Sequence, residues 1–288
     1  KEFVLMNNYI SLYIPAYNAE KTIEKSIKSV FQQTLKPKEI IVINDCSTDK
    51  TLNLIKNFHQ IKIINNNKNY GLAKSRNIAL EYSKYDYLAS IDSDVVCEKD
   101  WLEILFKTML EKNIDLIGGK LIEKYTEEPA NHWRSKYLKQ HWGNENVNNP
   151  EFVFGANYLL NKKKIKNLRI KYNEEFRTNG EDVNFSKVLK SKDCNLYYEP
   201  KALCYHYQFD DALSLSKRYW RYSYYGAGLK KLTFIRLIKL ILRQIKTFFI
   251  WMSRDILKNN YHFFKINLIL TYYFSIFCIN KYLFNDKK

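Results

Sequence analysis

Between residues 9 and 119, short apolar runs alternate with stretches of helical periodicity. Ile10–Ile14 reads as a strand, followed by a helix over residues 19–33. Glu39–Ile43 reads as the next strand, and Ser47-Thr48-Asp49 supplies a cap for the helix behind it. The alternation continues through the strand Ile61–Ile64, a helix over Leu72–Ser83, the strand Tyr87–Ile91, a helix from Lys99 to Glu111 and the run Leu116–Gly118. Strands separated by helices of this length predict βαβ units, an α/β fold with a mainly parallel sheet between helices. Ligands of such sheets sit at the carboxyl ends of the strands. The polar clusters Pro15–Asn18, Asn44–Asp49 and Asp92–Asp94 each follow an apolar run, so the pattern itself points to a site there.

The periodicity fades over residues 123–150, which read as a long loop rich in Trp, His and Asn. Phe152–Phe154 reads as a strand, a helix opens near Gly180, and Leu196–Tyr198 and Leu203–Tyr205 read as two more strands. A boundary is expected at residue 212, separating a domain 1–212 from a helical segment 213–288. In that segment Arg236, Lys239, Arg243 and Lys246 are spaced to share one helical face, with Leu, Ile and Phe over much of the rest. Phe263–Ile279 is a further apolar stretch, interrupted by Lys265 and Asn267 and at the short limit for spanning a bilayer. The reading favoured for both helices is burial in a membrane interface, with packing on the rest of the protein as the alternative.

Composition sharpens the second segment more than the first. The 288 residues are 46% hydrophobic and 27% charged, which excludes a disordered or collagen-like chain. The net charge is +17, but residues 213–288 hold 15 Lys and Arg against 2 Asp, a balance of +13, leaving +4 for the rest. Nucleic acid is one partner that such charge suggests, with Trp220, Tyr222, Tyr224 and Tyr225 lying among Lys217, Arg218 and Arg221. No nucleic-acid recognition motif accompanies them, and the following helix is lipid-like, so the expected partner is an anionic membrane surface and not nucleic acid. Five cysteines without CxxC spacing imply a reducing compartment and no zinc site.

The chemistry-bearing residues lie in the first segment. Asp92-Ser93-Asp94 ends a strand, and two carboxylates so placed either share a hard divalent cation or form a solvated turn. Asp45 is left free by the capping residues after it and is suited to accept a hydrogen bond from a base. Asn69–Asn77 opens a helix and offers backbone N–H groups and Arg76 to a diphosphate, or is a plain loop-to-helix transition. In Gly180-Glu181-Asp182 a carboxylate at a helix start either compensates the dipole or acts as a base. His206 follows a strand, where a packed core role competes with ligation.

Taken together, Ile14-Pro15-Ala16-Tyr17-Asn18, Asn44–Asp49, Asn69–Asn77, Asp92–Asp94 and Gly180–Asp182, in this order and spacing, resemble the family 2 glycosyltransferases of GT-A fold, a Rossmann-like α/β architecture. The resemblance covers residues 9–210 and rests on five motifs agreeing. It implies an inverting transferase using a nucleotide-diphosphate sugar, UDP by family prior, and Mn²⁺ or Mg²⁺. By position it implies that Pro15, Tyr17 and Asn18 line the nucleotide pocket, that Asp45 reads the base, and that Arg76 and Asp92 lie by the nucleotide. Asp94, and His206 as in some relatives, would bind the metal. Asp182 would be the catalytic base, with Glu181 on the acceptor side. Gly155-Ala156-Asn157 matches a segment near the donor sugar without a side-chain role. With the basic tail, the expectation is a cytoplasmic enzyme peripheral to the inner face of the cytoplasmic membrane, acting on a glycan or lipid-linked acceptor. The alternatives are a soluble acceptor with the tail forming a homodimer, or an inactive sugar-nucleotide-binding subunit.

Overall fold

In the computed structural model, which describes residues 9–225 and 232–284, the apolar runs become strands, buried on both faces except at the edge residues 62–65. These are β1 (Ile10–Ala16), β2 (Glu39–Asn44), β3 (Lys62–Asn65) and β4 (Tyr87–Ile91), joined by helices α1 (Ile23–Phe31), α2 (Thr51–Lys56) and α3 (Leu72–Tyr82). After β4 come β5 (Val95–Cys97), α4 (Trp101–Lys112), β6 (Leu116–Glu123), β7 (Val147–Asn148), β8 (Asn157–Asn161), α6 (Lys162–Asn167), α7 (Glu181–Lys190) and β9 (Leu196–His206), with α5 (Pro129–Tyr137) inserted after β6. The sheet order is β3-β2-β1-β4-β8-β6-β9-β5, with β7 on β9. The β3-β2-β1-β4 half is parallel, whereas β8 runs antiparallel to both β4 and β6.

Strand periodicity sorts the core. Leu12, Ile14, Ile40 and Val42 point to one face with α1 and α4, while Tyr13, Ile41 and Ile43 point to the other with α3, α6 and α7. The chain separates into two compact units, residues up to 124 with 140–207, and residues 125–139 with 208–288. The expected cut at 212 is a single point in sequence, whereas the second unit also recruits α5, part of the stretch expected to be loop. Phe152–Phe154 is not a strand; the strand lies at β8, five residues on. The two strands expected near 196 and 203 are one strand, β9, whose pairing with β6 jumps from Glu199 to Leu203. Pro200 sits in that bulge, where a missing N–H is harmless.

The second unit packs α5, α8 (Ala212–Tyr225), α9 (Phe234–Leu257), a 3₁₀ turn (Tyr261–Phe263) and α10 (Phe264–Leu283). Trp133, Leu215, Trp251, Phe263, Ile266 and Leu270 form its core. Asn267, which interrupts the apolar run of α10, is fully buried. It accepts from Trp133 Nε1 and donates to Asp255 Oδ2, both at 2.7 Å. Ile266, Leu270, Phe274 and Cys278, four residues apart, form the packed stripe of α10, and Leu268, Tyr272 and Leu283 lie exposed. The helical stretch Tyr261–Leu283 has 23 residues, long and apolar enough to cross a membrane by length and composition, with a third of its most apolar 18 residues buried in the protein.

Candidate active site

The parallel strands end in three turns that carry the polar clusters of the sequence. Between β1 and β2 the turns brace one another. Asn18 sits in the left-handed region at φ 49°, its Oδ1 accepts from Thr48 N at 2.8 Å, and its own N–H donates to Ser47 Oγ at 3.0 Å. Pro15 is buried at the end of β1, and the Tyr17 ring is half exposed beside it.

Asp45 is not free. Oδ1 accepts from Asn66 Nδ2 and Tyr70 N, and Oδ2 from Gly71 N, at 2.8–2.9 Å. The carboxylate therefore clamps the loop that enters α3 and keeps about one of its four acceptor positions. Gly71 occupies a left-handed φ of 94°, and a Cβ there would lie 2.6 Å from the Arg177 carbonyl oxygen. That oxygen accepts the Leu72 N–H at 2.7 Å. The backbone N–H groups of Tyr70, Gly71 and Leu72, expected to face a diphosphate, are thus taken by Asp45 and Arg177.

Arg76 is likewise internal, 1% exposed. Its guanidinium donates from Nη2 to Asp92 Oδ1 and from Nε to Glu181 Oε1, both at 3.3 Å, and from Nη1 to Tyr13 Oη at 3.0 Å and Ser90 Oγ at 3.2 Å. A planar fork of five donors is suited to joining groups from four directions. Arg76 couples the end of β4 to the start of α7, two segments 89 positions apart in sequence. Burial pushes the Glu181 carboxyl up to about 7, helped by the charge of Asp182 and opposed by Arg76. Burial likewise raises Asp92 to about 6, against the pull of Arg76.

Asp182 lies in the first turn of α7, behind a left-handed Gly180. Its Oδ2 accepts from Gly155 N at 2.9 Å and its Oδ1 from its own helix at Val183 N, 2.8 Å. A side chain at Gly155 would crowd this network: a Cβ would stand 2.7 Å from Arg76 Nη2 and 3.2 Å from Asp182 Cβ. The next residue, Ala156, accepts from Asp92 N at 3.0 Å, so the Gly155–Ala156 segment joins the two acidic turns through its backbone.

Asp94 and His206 face each other, Oδ2 to Nε2 at 3.3 Å. They meet because β5 pairs antiparallel with β9, bringing Val95 opposite His206. Glu123 contacts the other ring nitrogen, Nδ1, at 3.1 Å. Burial alone would lower the imidazole, but the charges of Asp94 and Glu123 override it and raise it to about 9. Among the described residues no three His, Cys, Asp or Glu side chains form a metal cage. Mg²⁺-type sites do not need one, since one or two protein ligands are completed by substrate phosphates and water. A carboxylate facing an imidazole whose far nitrogen is held by a second carboxylate is a donor set that fits such an ion.

The structure therefore joins Arg76, Asp92, Glu181 and Asp182 in one network and Asp94 with His206 in another, two residues along from Asp92. Pro15, Tyr17, Asn18 and Asp45 lie on the neighbouring strand ends. Sequence reasoning missed Glu123 and the hydroxyl chain Tyr13–Tyr158–Tyr172, linked at 2.6 and 2.7 Å. Glu123 lies at the end of an apolar run, the same signal that marked Asp92.

The sequence profile described as glycosyl transferase family 2 matches residues 11–191. The chain is 38% identical over 117 residues to UDP-Glc:alpha-D-GlcNAc-diphosphoundecaprenol beta-1,3-glucosyltransferase WfgD of Escherichia coli, covering 40% of this chain and 46% of that protein. The chain thus spans less than half the length of this relative. Among solved structures, S. aureus TarS 1-349 superposes with a TM-score of 0.60 at 18% identity, over 96% of this chain and 92% of that one. The same protein in complex with UDP-GlcNAc gives 0.60 at 19% identity, over 82% and 66%. These likenesses establish the fold shared by both proteins.

Proposed function

The chain belongs to glycosyl transferase family 2, and from that premise we propose that it moves one sugar from a UDP-sugar to a hydroxyl acceptor, with inversion at the anomeric carbon. The observation that carries this reading is Asp182, a carboxylate held by two backbone N–H groups beside the acidic strand-end turn. Both of its oxygens retain lone pairs for a substrate hydroxyl. In the proposed step the acceptor oxygen attacks the anomeric carbon, its proton passes to Asp182, and the bond to the diphosphate breaks on the opposite face. Glu181, fixed by Arg76, borders the acceptor side. Tyr17 offers an exposed ring to the nucleoside, and Pro15, Asn18 and Asp45 set the shape of that end.

Asp94 and His206 are the residues that would hold Mn²⁺ or Mg²⁺. Such an ion, when bound, supplies charge neutralisation to a departing diphosphate. Glu123 would fix the ring of His206 for that task. Chelation followed by Mn²⁺ add-back is expected to abolish and then restore transfer; activity indifferent to both removes the metal from the reading.

The exposed surface of α9 supports a membrane-held acceptor. Phe234, Ile235, Leu242, Phe249, Ile250 and Leu257 are each more than half exposed, and Lys239, Arg243 and Lys246 are exposed on the same helix. An apolar surface edged with cations suits an anionic lipid interface, here the cytoplasmic face of the membrane. The activity for which the E. coli relative is named, glucosyl transfer to a diphosphoundecaprenol-linked sugar, supports an acceptor of this class. The test is a panel of nucleotide sugars with Mn²⁺, read by thermal shift and nucleotide release with a lipid-linked acceptor. One donor should raise Tm, as mass action requires, and yield a product of inverted configuration. Retained configuration, or no donor that binds, overturns the proposal.

A further inference from the structure

A second cavity, of about 790 Å³, opens in the first unit between the end of α3 and α6. Lys84, Lys162, Lys163, Lys166, Arg169 and Lys171 line it, against two carboxylates, Glu81 and Asp86. Ser83, Lys84 and Asp86 precede β4, whereas Asp92 follows it. The five residues of β4 therefore separate this cavity from the candidate active site by about 16 Å at ordinary strand rise.

One buried group marks the cavity as more than a run of surface lysines. Lys162 is 9% exposed, with its ammonium donating to the Ser83 carbonyl. Burial pulls that ammonium below the ordinary lysine range more strongly than Asp86 and Glu39 restore it. A cation held this way gains from an added anion. The volume is that of a small-molecule pocket.

From the convergence of six cations on one cavity, the nine-tenths-buried Lys162 among them, we propose that it is a second ligand site, taking a small molecule that bears phosphate groups. Lysine ammoniums act as point charges on phosphate oxygens. The site is independent of the transferase reading, since none of its residues belongs to the catalytic network.

The test is calorimetric titration of the full chain with inorganic pyrophosphate, with chelator present and ionic strength fixed. Wild type should bind, more weakly as salt is raised. Lys166→Glu with Lys171→Glu, both exposed positions, should weaken binding by about tenfold or more with the fold and sugar transfer unchanged. No binding by wild type, or equal binding by the charge-reversed variant, overturns the site.

Discussion

At the residue scale the account turns on Arg76. A buried guanidinium between Asp92 and Glu181 is a three-charge network, and removing its centre leaves two carboxylates facing each other. Arg76→Met should destabilise the fold by about 3–5 kcal/mol, read by denaturant unfolding, and a variant within error of wild type would refute the network. Gly155→Ala is a finer probe. The added methyl meets a guanidinium pinned by four hydrogen bonds and must displace either it or Asp182. Transfer should drop about 100-fold with little loss of Tm, the effect expected of a small misplacement of a reacting group. Glu181 makes stability depend on pH in a definite direction. Its folded value of about 7 lies above the ordinary 4.5, so the folded chain keeps a proton that the unfolded chain has released. That contribution is complete below pH 4.5 and is lost as pH rises through 7, with Asp92, raised to about 6, adding the same sign. Metal-free Tm should therefore fall across this window, and Glu181→Gln should flatten the slope; an unchanged slope would contradict the assignment. The clusters Pro15–Asn18, Asn44–Asp49 and Asp92–Asp94 were legible because each follows an apolar run. The burial of Arg76 was not, since only the tertiary pairing of α3 with α7 makes it internal. Asp45 was legible as chemistry but its partners were not, since the N–H groups it accepts from lie 25 and 26 residues away.

At the scale of elements, the regular βαβ half was readable because strand period and helix period alternate cleanly there. The antiparallel half was not. Phe152–Phe154 carries more aromatic side chains than β8, yet its rings pack with Trp142, and the strand position goes to Asn157–Asn161, which completes pairing with both β4 and β6. Helix α5 hid in the Asn-rich stretch because its apolar stripe is thin; Pro129 at its first turn was the available sign. The pattern on α9 was legible in full, its basic row and its apolar surface both appearing in the structure. If that surface meets anionic lipid, Lys239→Glu with Lys246→Glu should weaken sedimentation with phosphatidylserine vesicles by about thirtyfold, from about 1 kcal/mol per basic residue. Binding to neutral vesicles should change little. Equal binding of wild type and variant to the anionic vesicles would instead assign the helix to protein packing.

At the scale of the whole molecule, the net charge of +17 separates into a nearly balanced unit that carries the carboxylates and a basic unit that carries the apolar helices. Charge and chemistry are thus divided between units, which is why composition pointed to a surface and the motifs to a reaction. The buried stripe of α10 and its Asn267–Asp255–Trp133 network limit how far that helix is available to lipid, an arrangement that hydropathy alone does not disclose. The central claim is that Asp182 takes the proton of the acceptor hydroxyl. Its most direct test is single-turnover transfer by Asp182→Asn, with donor affinity measured on the same sample. Transfer should fall by about 10²–10⁴-fold, the usual contribution of a positioned base, while donor affinity holds. Transfer at the wild-type rate would contradict the account.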